Sequence, residues 1–141
     1  MRRLRGMSLA FAAAFFAAQA VLGAAPARAE ELSGTLRKIR ETGGIALGFR
    51  DSSIPFSYLD DNQKPIGYAM DICYAIVEGV KKELKLDKLA VELVPVSSST
   101  RIPLLANGTI DLECGSTTNN PERSKQVAFS YTHFLTATRF I

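Results

Sequence analysis

The sequence predicts an α/β domain built on a mostly parallel sheet, carried behind an export signal. Three observations predict it. Short apolar runs of strand length alternate with helical patterns through brief links, as in sheets assembled by right-handed crossovers. The run "LAVELVPV" (89–96) is almost continuously apolar, as expected of a strand buried on both faces. The segments that follow three of the runs, 50–53, 97–101 and 115–123, are polar, and each combines arginine with hydroxyl groups. Ligands of open α/β sheets sit beyond the carboxyl ends of the strands, so these three segments are candidate binding elements.

Residues 1–29 have the layout of a cleavable secretory signal. Arg2, Arg3 and Arg5 form a basic start, an alanine-rich apolar run follows, and "ARA" at 27–29 offers small residues to a peptidase, with Glu30 first in the mature chain. A membrane anchor is the rival reading, since the run approaches spanning length. The whole chain has 17 basic and 14 acidic residues. The signal holds four of those bases and no acids, leaving thirteen bases against fourteen acids, a net charge of −1. Nucleic-acid binding thereby loses its compositional support.

In the mature part, "LSGTLRKIRETGG" predicts a short helix with Leu32, Leu36 and Ile39 on one face and a stop at Gly43–Gly44. "IALGFR" (45–50) is a short strand, and "PFSYLDDNQKPIGY" reads as a hairpin-like excursion. From Met70 to Leu84, apolar residues at 73, 76, 77, 80 and 84 mark a helix with a solvated back. "SSSTRIPLLANG" begins with cap-competent serines (Ser98, Ser99) and ends at Asn107–Gly108. "IDLEC" (110–114) is another strand, "NNPERSKQV" another helix start, and "AFSYTHFLTATRFI" is extended sequence. Cys73 and Cys114 could be bonded or be buried thiols, and sequence does not choose between them. One histidine, His133, with no CxxC and no Cys/His cluster argues against zinc, and no cofactor is expected.

The stretch "CGSTTNNPER" carries the most local information. Asn120 suits an N-cap and Pro121 the first helical position, so Arg123 emerges in a first turn beside unpaired backbone N–H groups. Ser116 and Thr118, two apart in extended chain, would point the same way. This is either an ordinary capped helix or a carboxylate site. Arg101 and Arg50 each have a structural reading too, as surface or strand-end charges. Three arginines on one sheet edge, however, repel one another unless anions share them, and a ligand with two carboxylates would balance such a site.

These residues resemble a known family. "FRDSSIPFSYLDDNQKPIGYAMDICYAIVEGVKK", "SSSTRIPLLANGTIDLECGSTTNNPERSKQVAFS" and the export signal are similar to the periplasmic glutamate/aspartate-binding proteins of ABC transporters, within the family 3 polar amino-acid solute-binding proteins. The likeness covers nearly all of residues 32–141, and "RIPLL.NGTIDLECGSTTNN.ER" points to the acidic branch. It implies the first lobe of a two-lobed, hinge-closing, type II periplasmic-binding-protein fold. By this resemblance, Arg123, Ser116 and Thr118 would hold the ligand's α-carboxylate, and Arg50, Ser98 and Arg101 its side-chain carboxylate. Phe56 and Tyr58 match cleft-lining aromatics, with a structural role equally open. The partners implied are L-glutamate or L-aspartate and a membrane permease, with the protein acting as a monomer in the periplasm. It also implies a division into the signal (1–29), lobe 1 (30–132), and a hinge crossing with the first strand of lobe 2 (133–141). Chains of this family are roughly twice as long, to cover two lobes, so lobe 2 is expected to be missing here and ligand burial impaired. Two other classes share the fold: receptor sensing domains and periplasmic dehydratases. An enzyme would need a positioned acid or base, and Asp51, Asp111, Glu113 and His133 lie in strands, loops or the hinge segment.

Overall fold

The computed structural model describes residues 32–137; the signal at 1–29 and the last four residues lie outside the described residues. Two small sheets form. The main one is parallel, with β1 (Gly44–Phe49) between β5 (Ala90–Pro95) and β6 (Leu112–Cys114). The second is an antiparallel meander of β2 (Ser52–Ser53), β3 (Ser57–Leu59) and β4 (Pro65–Ile66), the excursion expected after the first strand.

Helix α1 (Gly34–Thr42) ends where the sequence predicts, at Gly43, whose φ of 67° is the left-handed conformation glycine adopts without penalty. Ile39 from its inner face is fully buried, whereas Leu36 stays partly exposed. Helix α2 (Tyr68–Glu83) packs Ala69, Met70, Cys73 and Val77 inward, one face at helical spacing. Ile76, expected on that face, lies at its margin and is exposed. The helix starts after Gly67 (φ 125°), where an added Cβ would lie 2.6 Å from the Phe56 carbonyl oxygen, too close for any other residue. That tight approach lets Tyr68 and Ala69 donate backbone N–H bonds to Pro55 and Phe56, tying the meander to the helix. Short helices α3 (Arg101–Ala106) and α4 (Pro121–Ser124) complete the order.

The core centres on β1, whose Ile45, Ala46, Leu47 and Phe49 are buried against Ile39, Met70, Val96 and Ile110. Burying each large aliphatic side chain contributes about 1.5–3 kcal/mol. Strand β5 departs from expectation. It occupies the sheet edge, five of its six residues are exposed, and Val91 and Leu93 each keep 37% of their surface. Its near-continuous apolar run carries no information about rank in the sheet, which is set by the crossovers. Residues 127–137 run without a strand partner among the described residues.

Cys73 on α2 and Cys114 at the end of β6 form a disulfide with a Cα separation of 6.1 Å. The apolar setting of Cys73 fits either a thiol or a bond; what decides is that α2 lays it against the last residue of β6. A second tie crosses the sheet. Asp111, its side chain 4% exposed, accepts from Lys38 Nζ and from the Ala46 backbone N–H, both at 2.9 Å. Asp111→Ala is expected to destabilise the domain by about 2–3 kcal/mol, because the buried Ala46 N–H loses its carboxylate acceptor and is left unsatisfied. Urea denaturation checks this; a loss below about 0.5 kcal/mol would mean that water replaces the carboxylate.

Candidate functional site

The three strands of the main sheet end level with one another. Phe49 is in register with Pro95 on one side and with Cys114 on the other. The next residues, Arg50, the 96–100 turn and Gly115, therefore leave the sheet on one rim.

On that rim the side chains interlock. Arg50 donates from Nη1 to Ser98 Oγ at 2.9 Å. Ser98 is free to accept because the turn is closed by its neighbours: Ser97 and Thr100 exchange backbone N–H to hydroxyl bonds of 2.9 and 3.1 Å. Ser98 and Ser99 thus do not act as the expected caps, and the turn before α3 is closed by Ser97 and Thr100 instead. Arg101, first residue of α3, is buried and reaches Glu113 on β6, with Nη1 and Oε1 3.7 Å apart. Their side chains are 9% and 10% exposed. The separation is an ion-pair distance but too long for a hydrogen bond. Accordingly Arg101 Nε and Nη1 and Glu113 Oε1 have no hydrogen-bond partner, and neither do Arg50 Nε and Thr117 Oγ1.

Two shifts in protonation report the same crowding. Burial pulls the Arg101 guanidinium below its ordinary value; Glu113 offsets part of this, and the Arg50 and Arg123 charges add to it. The Arg50 and Arg123 charges thus each oppose that of Arg101. Burial likewise raises the Glu113 carboxyl above its ordinary value, opposed by Thr117, Arg101 and Arg50. Thr117 favours the ionised carboxyl by proximity without completing a hydrogen bond of good geometry.

The 115–123 loop supplies the rest. Asn120 caps α4 through its side chain, accepting from the Arg123 N–H at 2.9 Å, with Pro121 in the first turn as the sequence predicts. The Arg123 guanidinium folds back to the Thr118 carbonyl oxygen at 2.9 Å. Ser116 and Thr118 are exposed while Thr117 between them turns inward, the alternation of extended chain. Ser116 Oγ lies 2.7 Å from Ser53 Oγ of β2. A hollow of about 530 Å³ lies against this loop, lined by Phe56, 115–119 and 129–137. The arginines stand outside its wall, so Ser116 and Thr118 form the border between hollow and cationic rim. Phe56 meets Phe134 edge-on at 4.8 Å, whereas Tyr58 is not part of the lining.

All six residues singled out from the sequence stand on this rim or its loop. Sequence reasoning missed Ser53, Thr117 and the pairing of Glu113 with Arg101. The available signal for the last was an acid inside an apolar strand. Gly115 is fixed by the same packing, since a Cβ there would fall 2.5 Å from Glu113 Oε1 and 3.0 Å from Arg50 Cγ. The other acids are engaged elsewhere: Asp111 with Lys38, and Asp51 with the Ser52 hydroxyl. Among the described residues no cluster of His, Cys, Asp and Glu could hold a metal, and no helix is long and apolar enough to cross a membrane.

Comparison with known proteins agrees with this frame. The chain is 58% identical over 123 residues to the L-glutamate/L-aspartate-binding protein of Pseudomonas aeruginosa, covering 86% of this chain and 41% of that one. It is 57% identical over 107 residues to the glutamate/aspartate import solute-binding protein of Escherichia coli K12, covering 76% and 35%. The chain therefore spans about two fifths or less of the length of these relatives. Both are named as binding proteins for import or capture, not as enzymes. Among solved structures, arginine-bound domain 1 from TmArgBP matches with a TM-score of 0.61 and 25% identity, over 70% of this chain and 71% of that one. An ancestral cationic amino acid solute binding protein matches with a TM-score of 0.60 and 31% identity, over 69% and 39%. The parallel sheet and its helices are thus one lobe of a type II periplasmic-binding-protein fold. The model of the bacterial extracellular solute-binding proteins, family 3, matches residues 45–141, and the chain belongs to that family.

Proposed function

We propose that this chain is the ligand-gripping lobe of an extracytoplasmic binding protein that captures L-glutamate or L-aspartate and hands it to the permease of an ABC importer. The observation that carries the reading is the level rim of the main sheet, where the Arg50 and Arg123 charges both act on Arg101 and buried donors of Arg50 and Arg101 stay unpaired. A dicarboxylate supplies the missing acceptors. Arg50, Ser98 and Arg101 would take one carboxylate; Arg123, with the Ser116 and Thr118 hydroxyls, would take the other. Bidentate guanidinium–carboxylate pairing gives such a site both strength and geometric selectivity.

The names of its relatives support acidic over neutral ligands. Those at 58% and 57% identity bind glutamate and aspartate, while a glutamine-binding protein of Geobacillus stearothermophilus stands at 35%. Export through the 1–29 signal, a monomeric state and docking on a permease belong to the same proposal. Titration calorimetry tests it: L-glutamate and L-aspartate should give binding heats, and L-glutamine none at the same concentration. Tight glutamine binding would overturn the two-carboxylate reading.

A further inference from the structure

We propose that Glu113 is an internal counter-anion of this site: its carboxylate holds Arg101 in the empty protein and takes up a proton when a ligand carboxylate arrives. The inference rests on the anion-binding reading above and adds a proton to it. Arg50 and Arg101 both act on Glu113, and Arg123 adds its charge at Arg101, so the rim keeps an excess of positive charge that Glu113 only partly cancels. A ligand carboxylate competes with Glu113 for the same guanidinium charge. Two anions sharing one cationic site favour protonation of the one that can accept it. Glu113 is suited to give way, because its Oε1 makes no hydrogen bond that must first be broken and stands at 3.7 Å from Arg101 Nη1. Burial already favours its neutral form.

The groups that face it are consistent with this exchange. Arg101 comes from α3, Arg50 from the end of β1, and Thr117 from the following loop, with Arg123 of α4 acting on Arg101. His133 and Glu113 both line a second hollow, beside Cys73 and Cys114. Asp111, two residues earlier, is committed to Lys38 and the Ala46 N–H, and Asp51 beside Arg50 is exposed. The step is a simple uptake: a solvent proton binds Glu113 Oε1, and the Arg101 guanidinium turns its free N–H groups to the ligand. The neutral acid then has an O–H to donate and an unpartnered Thr117 Oγ1 within its neighbourhood.

L-Glutamate binding measured by calorimetry in buffers of different ionisation enthalpy tests the proposal without any variant. The expected result is an enthalpy that depends on the buffer in the sense of proton uptake. The Kd should tighten as pH falls from about 8 to about 5, where the ligand carboxylates stay ionised, by at most about tenfold per pH unit. Glu113→Gln should abolish the uptake, flatten the pH profile and bind at least as tightly near neutral pH; His133→Asn should keep the uptake. A residue that merely braced Arg101 would instead weaken binding on Glu113→Gln and leave the buffer dependence unchanged. If Glu113→Gln does not fold, carboxyl NMR of the unsubstituted protein decides, since the Glu113 resonance should move to the protonated position on saturation. Binding heat with no proton uptake, uptake that survives Glu113→Gln, or uptake lost in His133→Asn overturns the inference alone. Absence of any L-glutamate binding overturns the proposed function and this inference with it.

Discussion

Replacing Arg101 by methionine is expected to weaken L-glutamate and L-aspartate binding by about 100- to 1,000-fold, or about 3–4 kcal/mol. Arg101 is the most buried of the three arginines, and its Nε and Nη1 are unpaired donors. A ligand carboxylate that loses such a partner in a dry site keeps its desolvation penalty without the compensating bonds. Methionine preserves the apolar stem against α3 and β6, so the loss reports the guanidinium and not a cavity. Arg101→Lys should recover only part of the affinity, because a point charge does not reproduce the planar fork. A neutral ligand such as L-glutamine should be affected far less. Equal losses for acidic and neutral ligands, or a loss below tenfold, would make Arg101 a structural residue that braces β6.

Removing the Cys73–Cys114 bridge is the second large effect. The bond closes a loop across 41 positions of sequence, which by chain entropy stabilises the fold by about 4 kcal/mol. Cys73→Ala/Cys114→Ala is expected to lose most of that in urea denaturation, and reducing agent should produce a similar loss in the unsubstituted protein. The double substitution should also weaken glutamate binding, because Cys114 is the last residue of β6 and the loop carrying Ser116 and Thr118 starts from it. A stability change under about 1 kcal/mol would mean that packing of α2 on β6 holds the pair together unaided.

Much of this architecture was legible in the residues. The alternation of strands and helices, the Gly43 stop, the Asn120–Pro121 cap and the polar strand ends all express local rules that act within a few residues. What was not legible depends on neighbours distant in sequence. The apolar run at 89–96 reads as a central strand, yet crossover geometry puts β5 at the edge. The serines at 97–99 are equivalent as caps, and only the approach of Arg50 sets Ser98 apart. Glu113 looked like an isolated acid in a strand; its meaning appears only when α3 delivers Arg101 onto the same rim. The cysteines show the same limit, since their partnership depends on how α2 lies across β6.

That bridge also gives the domain a history. Thiols stay reduced in the cytosol and join in oxidising compartments. Domains of this size have a total stability of about 5–15 kcal/mol, so the bond represents a large fraction of the whole. A freshly made chain with free thiols is therefore looser than the finished one, more readily kept unfolded and more readily degraded. Oxidation acts as a one-way latch: it sets the loop bearing the polar rim in place, and turns a tentative fold into a durable one only where oxidant is present.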